Sequence, residues 1–518
     1  MELIIYLVAF VLLLFLYHVY SIQFSARKLP PGPFVTPFGL GILPAIIFNK
    51  PKWILEIFNL KPWVFMDDLS KKYGPFYSVD IGPFYSLVIS SYEILMEVAN
   101  MEEYNMKFSH PDLTYPRTFN KELGLAFASR EELWVEMRRF TQRTLRDFGF
   151  GKRHTMQSAI DAETSALIKD FNGIIRNNNG IMKVRTKFVL SLLNTLWCMV
   201  AGQRYEHDDP ILTKMMDRNF AMTKSTTFGE PLNLIFSRLK KIWPSLFKED
   251  LRLQVYKECH DFTKVLVDER KAEGLYKNDP QNYIDVFLQK IEENKDNDKS
   301  VYTEENLQAM LADLLQTGTT TTNGTLNYGL LFLTLNPAIQ KKCQAEIDSI
   351  VPRHLTPTLE NIEKMPYFQA FILETHRLGN IVPNPIPRTV PKDWHIRGYT
   401  IPKGSVIVSN HYSVHMDKEY WGDPEVFRPE RFIDEKGEFK LDKRVCHFGF
   451  GKRGCIGITL ANSVIPIFFG TLLQNFNFSV VPGQEPPTIE PEIGVSLSPM
   501  EYEVKITNRA PVEQSRQG

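Results

Sequence analysis

The chain has 518 residues, well beyond one ordinary domain, and 43% of them are hydrophobic, enough to bury a large core. Lysine plus arginine and aspartate plus glutamate both number 60, so the formal net charge is zero and no bulk basicity points to nucleic acid. Five cysteines (Cys198, Cys259, Cys343, Cys446 and Cys455) show no disulfide framework, which places the bulk of the chain in a reducing compartment.

The first element in chain order is an apolar stretch from Leu3 to Tyr20, broken only by His18, which with Ser21 to Phe24 reaches bilayer length. The Met1-Glu2 start and the lack of a small-residue cleavage site favour a retained anchor over a cleaved signal peptide. Arg27 and Lys28, just after the span, put the large C-terminal portion in the cytosol. Lys28-Leu29-Pro30-Pro31-Gly32-Pro33 reads as a stiff connector. The expected organisation is an anchor over 1–24, a hinge over 25–34 and one large domain over 35–518.

Within that domain, Tyr85 to Ser90 reads as a strand, and Glu131 to Arg146 and Ala159 to Arg176 as helices. A long helix is predicted from Glu304 to Leu335, capped by Thr303 and ended by Asn336-Pro337. At 1.5 Å per residue it spans on the order of 48 Å, enough to cross the globule. Its middle holds Gly318 and the threonines 317 and 319–322, whose hydroxyls can bond back to the carbonyl four residues earlier and bend it. Residues 385–455 are rich in Pro, Gly and aromatics, with a strand at Ser405 to Ser409. A last helix runs from Ile458 to about Gln474. The fold class is mainly α with a minor β component, and no βαβ alternation appears.

The most informative stretch is Phe448-Gly449-Phe450-Gly451-Lys452-Arg453-Gly454-Cys455-Ile456-Gly457. Four glycines in ten residues rule out regular structure and let N–H groups turn toward a sulfur. Cys455 stands just before a helix start, where the dipole lowers a thiol's pKa. Arg453 can reach an anionic group. Cys446 lacks the glycine setting and reads as core or loop, and His447 has no second metal ligand at useful spacing. Phe448, Gly451, Arg453, Cys455 and Gly457 fill every fixed position of Phe-x-x-Gly-x-Arg-x-Cys-x-Gly, which resembles the haem-binding signature of the cytochrome P-450 superfamily.

That resemblance implies a cytochrome P-450 fold, a haem b whose iron is ligated by Cys455, and O2 as co-substrate. Phe448, Arg453 and Gly457 would sit at the haem. Other segments join it. Glu374 and Arg377 share a helix face at i and i+3, and the family pairs them with the arginine of Pro429-Glu430-Arg431-Phe432 in a structural network. Trp134-x-x-x-Arg138 matches the helix that binds the haem propionates, and Arg388 stands where relatives often carry a propionate-binding histidine. With Gly318 setting the register, Thr321 falls on the oxygen-activating threonine. Thr317 and Thr320 depart from the pattern, which has a small residue and an acid at those positions. Thr320, Asn323 and ordered water are the substitutes for the missing acid.

No Gly-x-Gly-x-x-Gly site is present, so the resemblance implies electrons from a separate NADPH-dependent flavoprotein reductase, with cytochrome b5 as a further candidate partner. Arg139, Arg146, Lys152 and Lys452 are the expected docking cations. The anchor and hinge match microsomal members, implying the endoplasmic reticulum membrane, and parts of the chain look most like the animal family-2 branch. By position, 108–119, 381–385 and 493–495 should line an apolar pocket for a fatty acid, sterol or xenobiotic. The competing readings are a haem-thiolate isomerase or dehydratase acting on peroxides, and a haem-binding protein without turnover.

Overall fold

The computed structural model describes residues 28–33 and 61–509, apart from 82–83, 112–113, 150–152, 208, 211, 214, 219–243 and 248. The expected anchor and most of the hinge lie outside the described residues. Among these residues only Ile458–Asn475 is long and apolar enough to cross a membrane, and 72% of its most apolar window is buried, so it is a core helix.

Helices make up most of the molecule, and a small sheet flanks them. The central helix Glu304–Leu335 forms where Thr303 accepts from the Asn306 N–H at 3.1 Å and Glu304 and Glu305 face its positive end. It is buried along most of its length because it is packed on several sides, by Val189–Val200, Glu249–Glu273, Pro366–Gly379 and Ile458–Asn475. An apolar helix of this kind needs no amphipathic stripe. The dominant core groups Trp197, Phe287, Phe332, Phe371 and Phe468 around these helices. Helix Glu131–Asp147 does show an amphipathic pattern, burying Leu133, Trp134, Met137 and Phe140 and leaving Arg139 and Arg146 in solvent.

The sheet pairs Phe76–Ile81 antiparallel with Phe84–Ile89, which runs parallel to Val406–Ser409, which in turn pairs antiparallel with Arg388–Thr389. Its last edge is extended by residues 106–108. The Thr389 N–H donates to the Met106 carbonyl at 2.8 Å and Phe108 N–H to the Pro387 carbonyl at 2.9 Å. Lys107 and Arg388 become bridge partners by this pairing. The mainly helical expectation holds, with modest shifts of boundary: the second predicted helix begins at Arg153 rather than Ala159.

Candidate functional site

The cysteine loop is built by backbone bonds. The Cys455 N–H donates to the Phe448 carbonyl at 2.8 Å, Gly449 N–H to the Cys446 carbonyl at 2.9 Å, and Gly454 N–H to the Gly451 carbonyl at 3.1 Å. Gly451 has φ of 63°, and a Cβ there would lie 2.1 Å from the Ala99 carbonyl oxygen, so both conformation and space demand glycine. Gly457 N–H donates to Cys455 Sγ at 3.3 Å and caps helix Ile458–Asn475. Cys455 keeps accessible surface, yet burial pushes its thiol pKa up. The N–H groups of Gly457 and Ile458 and the charges of Lys107 and Arg138 pull the other way. The lowered thiol pKa expected from the helix start is therefore not found: burial outweighs the backbone N–H groups and the nearby cations.

A group of four cations extends from this thiol. Arg138 and Lys107 act on it electrostatically, and Arg388 and Arg453 act on Lys107. Trp134 is flanked by two guanidinium groups, Arg453 at 3.6 Å and Arg138 at 5.7 Å from its ring centre. Arg453 Nη1 donates to the Ala128 carbonyl at 3.0 Å, while its Nε has no partner. Arg388 lies 5.3 Å from the Tyr104 ring centre and leaves Nη1 buried without a partner. Among the described residues no carboxylate pairs with any of the four. Burial is the first cause of every shift here: it pushes Lys107 well down and Arg453 down to about 9, and neighbouring cations add to both. A guanidinium does not give up its proton at neutral pH. The cluster is thus a charge excess seeking an anion. A planar ligand with two carboxylates, held at one face by a thiolate, fits this donor set. Sequence reasoning missed Lys107, because only the sheet edge brings it beside Arg388.

The middle of the central helix supplies a second accessible surface. Thr317 is exposed and Gln316, Thr320 and Thr321 are half-buried in a helix buried on either side of them. The hydroxyls of Thr317, Thr320 and Thr321 donate to the carbonyls of Asp313, Gln316 and Thr317 at 2.7, 2.7 and 2.9 Å. The expected back-bonding is present, and the helix stays continuous through it. With their protons engaged, these hydroxyls present lone pairs to the open side. Asn323 lies about 200° round the helix from Thr321, and its amide donates to the Arg185 carbonyl at 2.9 Å. It is committed elsewhere and does not join this face. One residue on, a Cβ at Gly324 would lie 2.8 Å from the Leu497 carbonyl and 3.4 Å from Ile381 Cδ1, so the glycine lets both segments reach the helix. Phe108, expected at the pocket, packs instead into the sheet, edge-on to Phe84 at 5.2 Å.

Glu374, Arg377 and Arg431 do come together. Arg377 donates to both Glu374 oxygens at 2.7 Å, and Arg431 Nε to Oε1 at 3.2 Å. Glu374 Oε1 also accepts the Arg428 N–H at 2.9 Å. Arg377 Nη1 donates to the His415 carbonyl at 2.8 Å, and Arg431 Nη1 to that of Trp421 at 2.6 Å. Arg139, Arg146 and Lys452 are exposed, and Lys152 lies outside the described residues. Behind the cysteine loop the fold also gathers His376, His411, His415 and His447, whose scattered positions carried no spacing signal.

The comparisons agree with this geometry. A family model described as cytochrome P450 matches residues 45–506. Among similar proteins, rat cytochrome P450 2J3 is 30% identical over 92% of this chain and 90% of its own length. Rat cytochrome P450 2C11 is 34% identical over 88% and 87%, and human cytochrome P450 2C8 is 33% identical over 88% and 89%. The chain belongs to the cytochrome P450 family and is a monooxygenase of that family.

Proposed function

We propose that this protein is a membrane-anchored monooxygenase that holds haem b through Cys455 and oxidises a lipophilic substrate with electrons from an NADPH-dependent flavoprotein reductase. The single observation carrying it is the set Lys107, Arg138, Arg388 and Arg453, none ion-paired to a carboxylate among the described residues, extending from an accessible thiol in a glycine loop. Haem, when bound, supplies the oxygen-activating redox chemistry.

The chain's own residues do the rest. Cys455 offers the thiolate, and the Gly457 N–H bonded to its sulfur stabilises that charge. Trp134 holds Arg138 and Arg453 over its ring, and with Lys107 and Arg388 they would hold the two propionates as charge-assisted donors. The Phe448 carbonyl accepts the Cys455 N–H and fixes the backbone that carries the sulfur. Thr321 and Thr320 present hydroxyl oxygens on the accessible helix face, where their lone pairs would hold and orient proton-carrying water, Thr320 at the place of the acid. Ile381 and the 493–497 segment, admitted by Gly324, close an apolar wall for the substrate. Arg139, Arg146, Lys152 and Lys452 form the reductase-facing cations, whose steering falls with salt. The family-2 relatives support the endoplasmic reticulum as the site of action, with cytochrome b5 as a further electron donor.

The test uses the full chain in vesicles with reductase and NADPH. Expected are a thiolate-type absorption band of the reduced CO-bound protein, absent in Cys455→Ser, and O2-dependent NADPH consumption with an added fatty acid or drug-like compound. A histidine-type band sinks the ligation. Turnover of hydroperoxides alone, without NADPH use, favours the isomerase reading.

A further inference from the structure

Four histidine rings are packed behind the cysteine loop, none of them used by the chemistry above. His376 stacks on His447 with centroids 3.8 Å apart and planes 14° apart, and His447 leans on Phe448 at 4.0 Å. His411 meets Phe450 edge-on at 5.5 Å. Phe448 and Phe450 thus connect the rings to the loop, since the Phe448 carbonyl accepts the Cys455 N–H.

The hydrogen bonds fix the proton positions. His447 Nδ1 lies 3.2 Å from the Val445 carbonyl, so Nδ1 carries the proton and Nε2 is left bare and buried. The Cys446 backbone N–H donates to His415 Nε2 at 3.0 Å, so His415 is protonated at Nδ1 and donates to Asn380 Oδ1 at 3.1 Å. A second proton on His415 would set N–H against N–H and break the bond holding Cys446, whose carbonyl in turn anchors Gly449. A second proton on His447 or His376 would put a charge in a stacked, buried pair.

Among the described residues no acidic group acts on these rings. Helix Pro366–Gly379 contributes Glu374 and Arg377, and Glu374 is already spent on two guanidinium groups. Arg377 acts on His415 and Arg388 on His411, both repelling protons. Cys446, the remaining ionisable group of the 445–450 segment, has its thiol pKa raised by burial and stays neutral. Burial is the first cause for every ring: it depresses His447 to about 4 against its bond to the Val445 carbonyl, and with Arg388 and then His447 it takes His411 to about 3. His376 and His415 lie well below the ordinary value, pushed there by burial and then by neighbouring histidines.

We propose that His376, His415 and His447 are positioning residues that hold the Cys455 loop in ligating geometry only while neutral, so that acid releases the thiolate by uptake of at least two protons. The proposal rests on Cys455 being the haem ligand. A group depressed in the folded state makes the released state bind more protons. Ligation is therefore fully stable above an ordinary histidine pKa of about 6.5 and weakens as pH falls below it, by up to tenfold per pH unit for each ring.

The experiment titrates the haem-loaded full chain from pH 7.5 to 4, following the thiolate band of the reduced CO-bound protein and, in parallel, helical circular dichroism. Expected is loss of the band between about pH 6.5 and 4 with a slope of two or more protons, before the helical signal falls. His415→Gln keeps an acceptor for Cys446 N–H and a donor for Asn380 without titrating. It should lower the slope by about one proton and move the midpoint down by about half a pH unit. A one-proton transition, a midpoint below pH 4, or helix loss preceding band loss in the unsubstituted protein overturns the proposal, and so does an unshifted slope in His415→Gln. If that variant fails to fold, the unsubstituted slope decides. A chain with no thiolate band at pH 7.5 overturns the ligation itself and this proposal with it, whereas a band lost by a single proton overturns this proposal alone.

Discussion

Two buried cationic clusters lie within one fold, and they are opposites. Around Glu374, each guanidinium nitrogen that approaches the carboxylate is answered, and the spare donors of Arg377 and Arg431 find the carbonyls of His415, Trp421 and Val426. In the other, Arg138 and Arg453 flank Trp134, Lys107 and Arg388 act on the same neighbourhood, none of the four forms an ion pair with a carboxylate among the described residues, and Arg388 and Arg453 each leave a buried nitrogen without a partner. The first is a finished joint of the fold. The second is finished only when an anionic ligand arrives. Burial alone does not separate structure from function here; charge balance does.

The sharpest way to break the comparison is at the finished joint. Glu374→Ala leaves Arg377 and Arg431 buried without compensation, a loss of about 3–5 kcal/mol. The cost should be the same with and without haem, read from urea midpoints of both forms. If haem restores the lost stability, the network belongs to the cofactor rather than to the fold.

The unfinished cluster should respond in reverse. Arg388→Leu removes a buried charge that lacks a counter-charge, and Lys107→Met removes a buried amine whose charged form is disfavoured, so the haem-free protein keeps or gains stability. Haem affinity should fall by about ten- to a hundredfold per substitution, the scale of one hydrogen bond to a charged group. Haem titration and denaturation of the stripped protein check the two halves separately. Lys107 is the more telling position, since no motif marks it.

That asymmetry also explains what the sequence made legible. Glu374, Arg377 and Arg431 stand out because i, i+3 spacing and a local Pro-Glu-Arg-Phe run are one-dimensional signals. The loop around Cys455 stands out because positive-φ and close-packed positions such as Gly451 force glycines. Lys107 and the four histidines were not legible, because a sheet edge and a three-way packing of 366–379, 411–415 and 445–450 bring them together from distant stretches. The thiol of Cys455 went the other way from the expected lowering, since a pattern reads the helix start but not the depth of burial. Asn323 likewise looked available until its bond to the Arg185 carbonyl appeared.

The smallest effect is the most discriminating for the threonine face. Thr320 is half-buried, and its hydroxyl is turned back on the Gln316 carbonyl at 2.7 Å, so it accepts hydrogen bonds from the open side but has no proton free to give. Thr320→Glu puts an acid on that face without displacing a core residue and should leave stability within about 0.5 kcal/mol. With Thr321 retained, product formed per NADPH should rise by about two- to fivefold and peroxide release should fall, a fraction of the full range for a positioned acid. Haem affinity should not move, which separates this face from the cation cluster. If peroxide release is unchanged while the glutamate protein folds and binds haem normally, the hydroxyl face already delivers protons without an acid. The departure at Thr320 would then be a neutral substitution rather than a weakness in the enzyme.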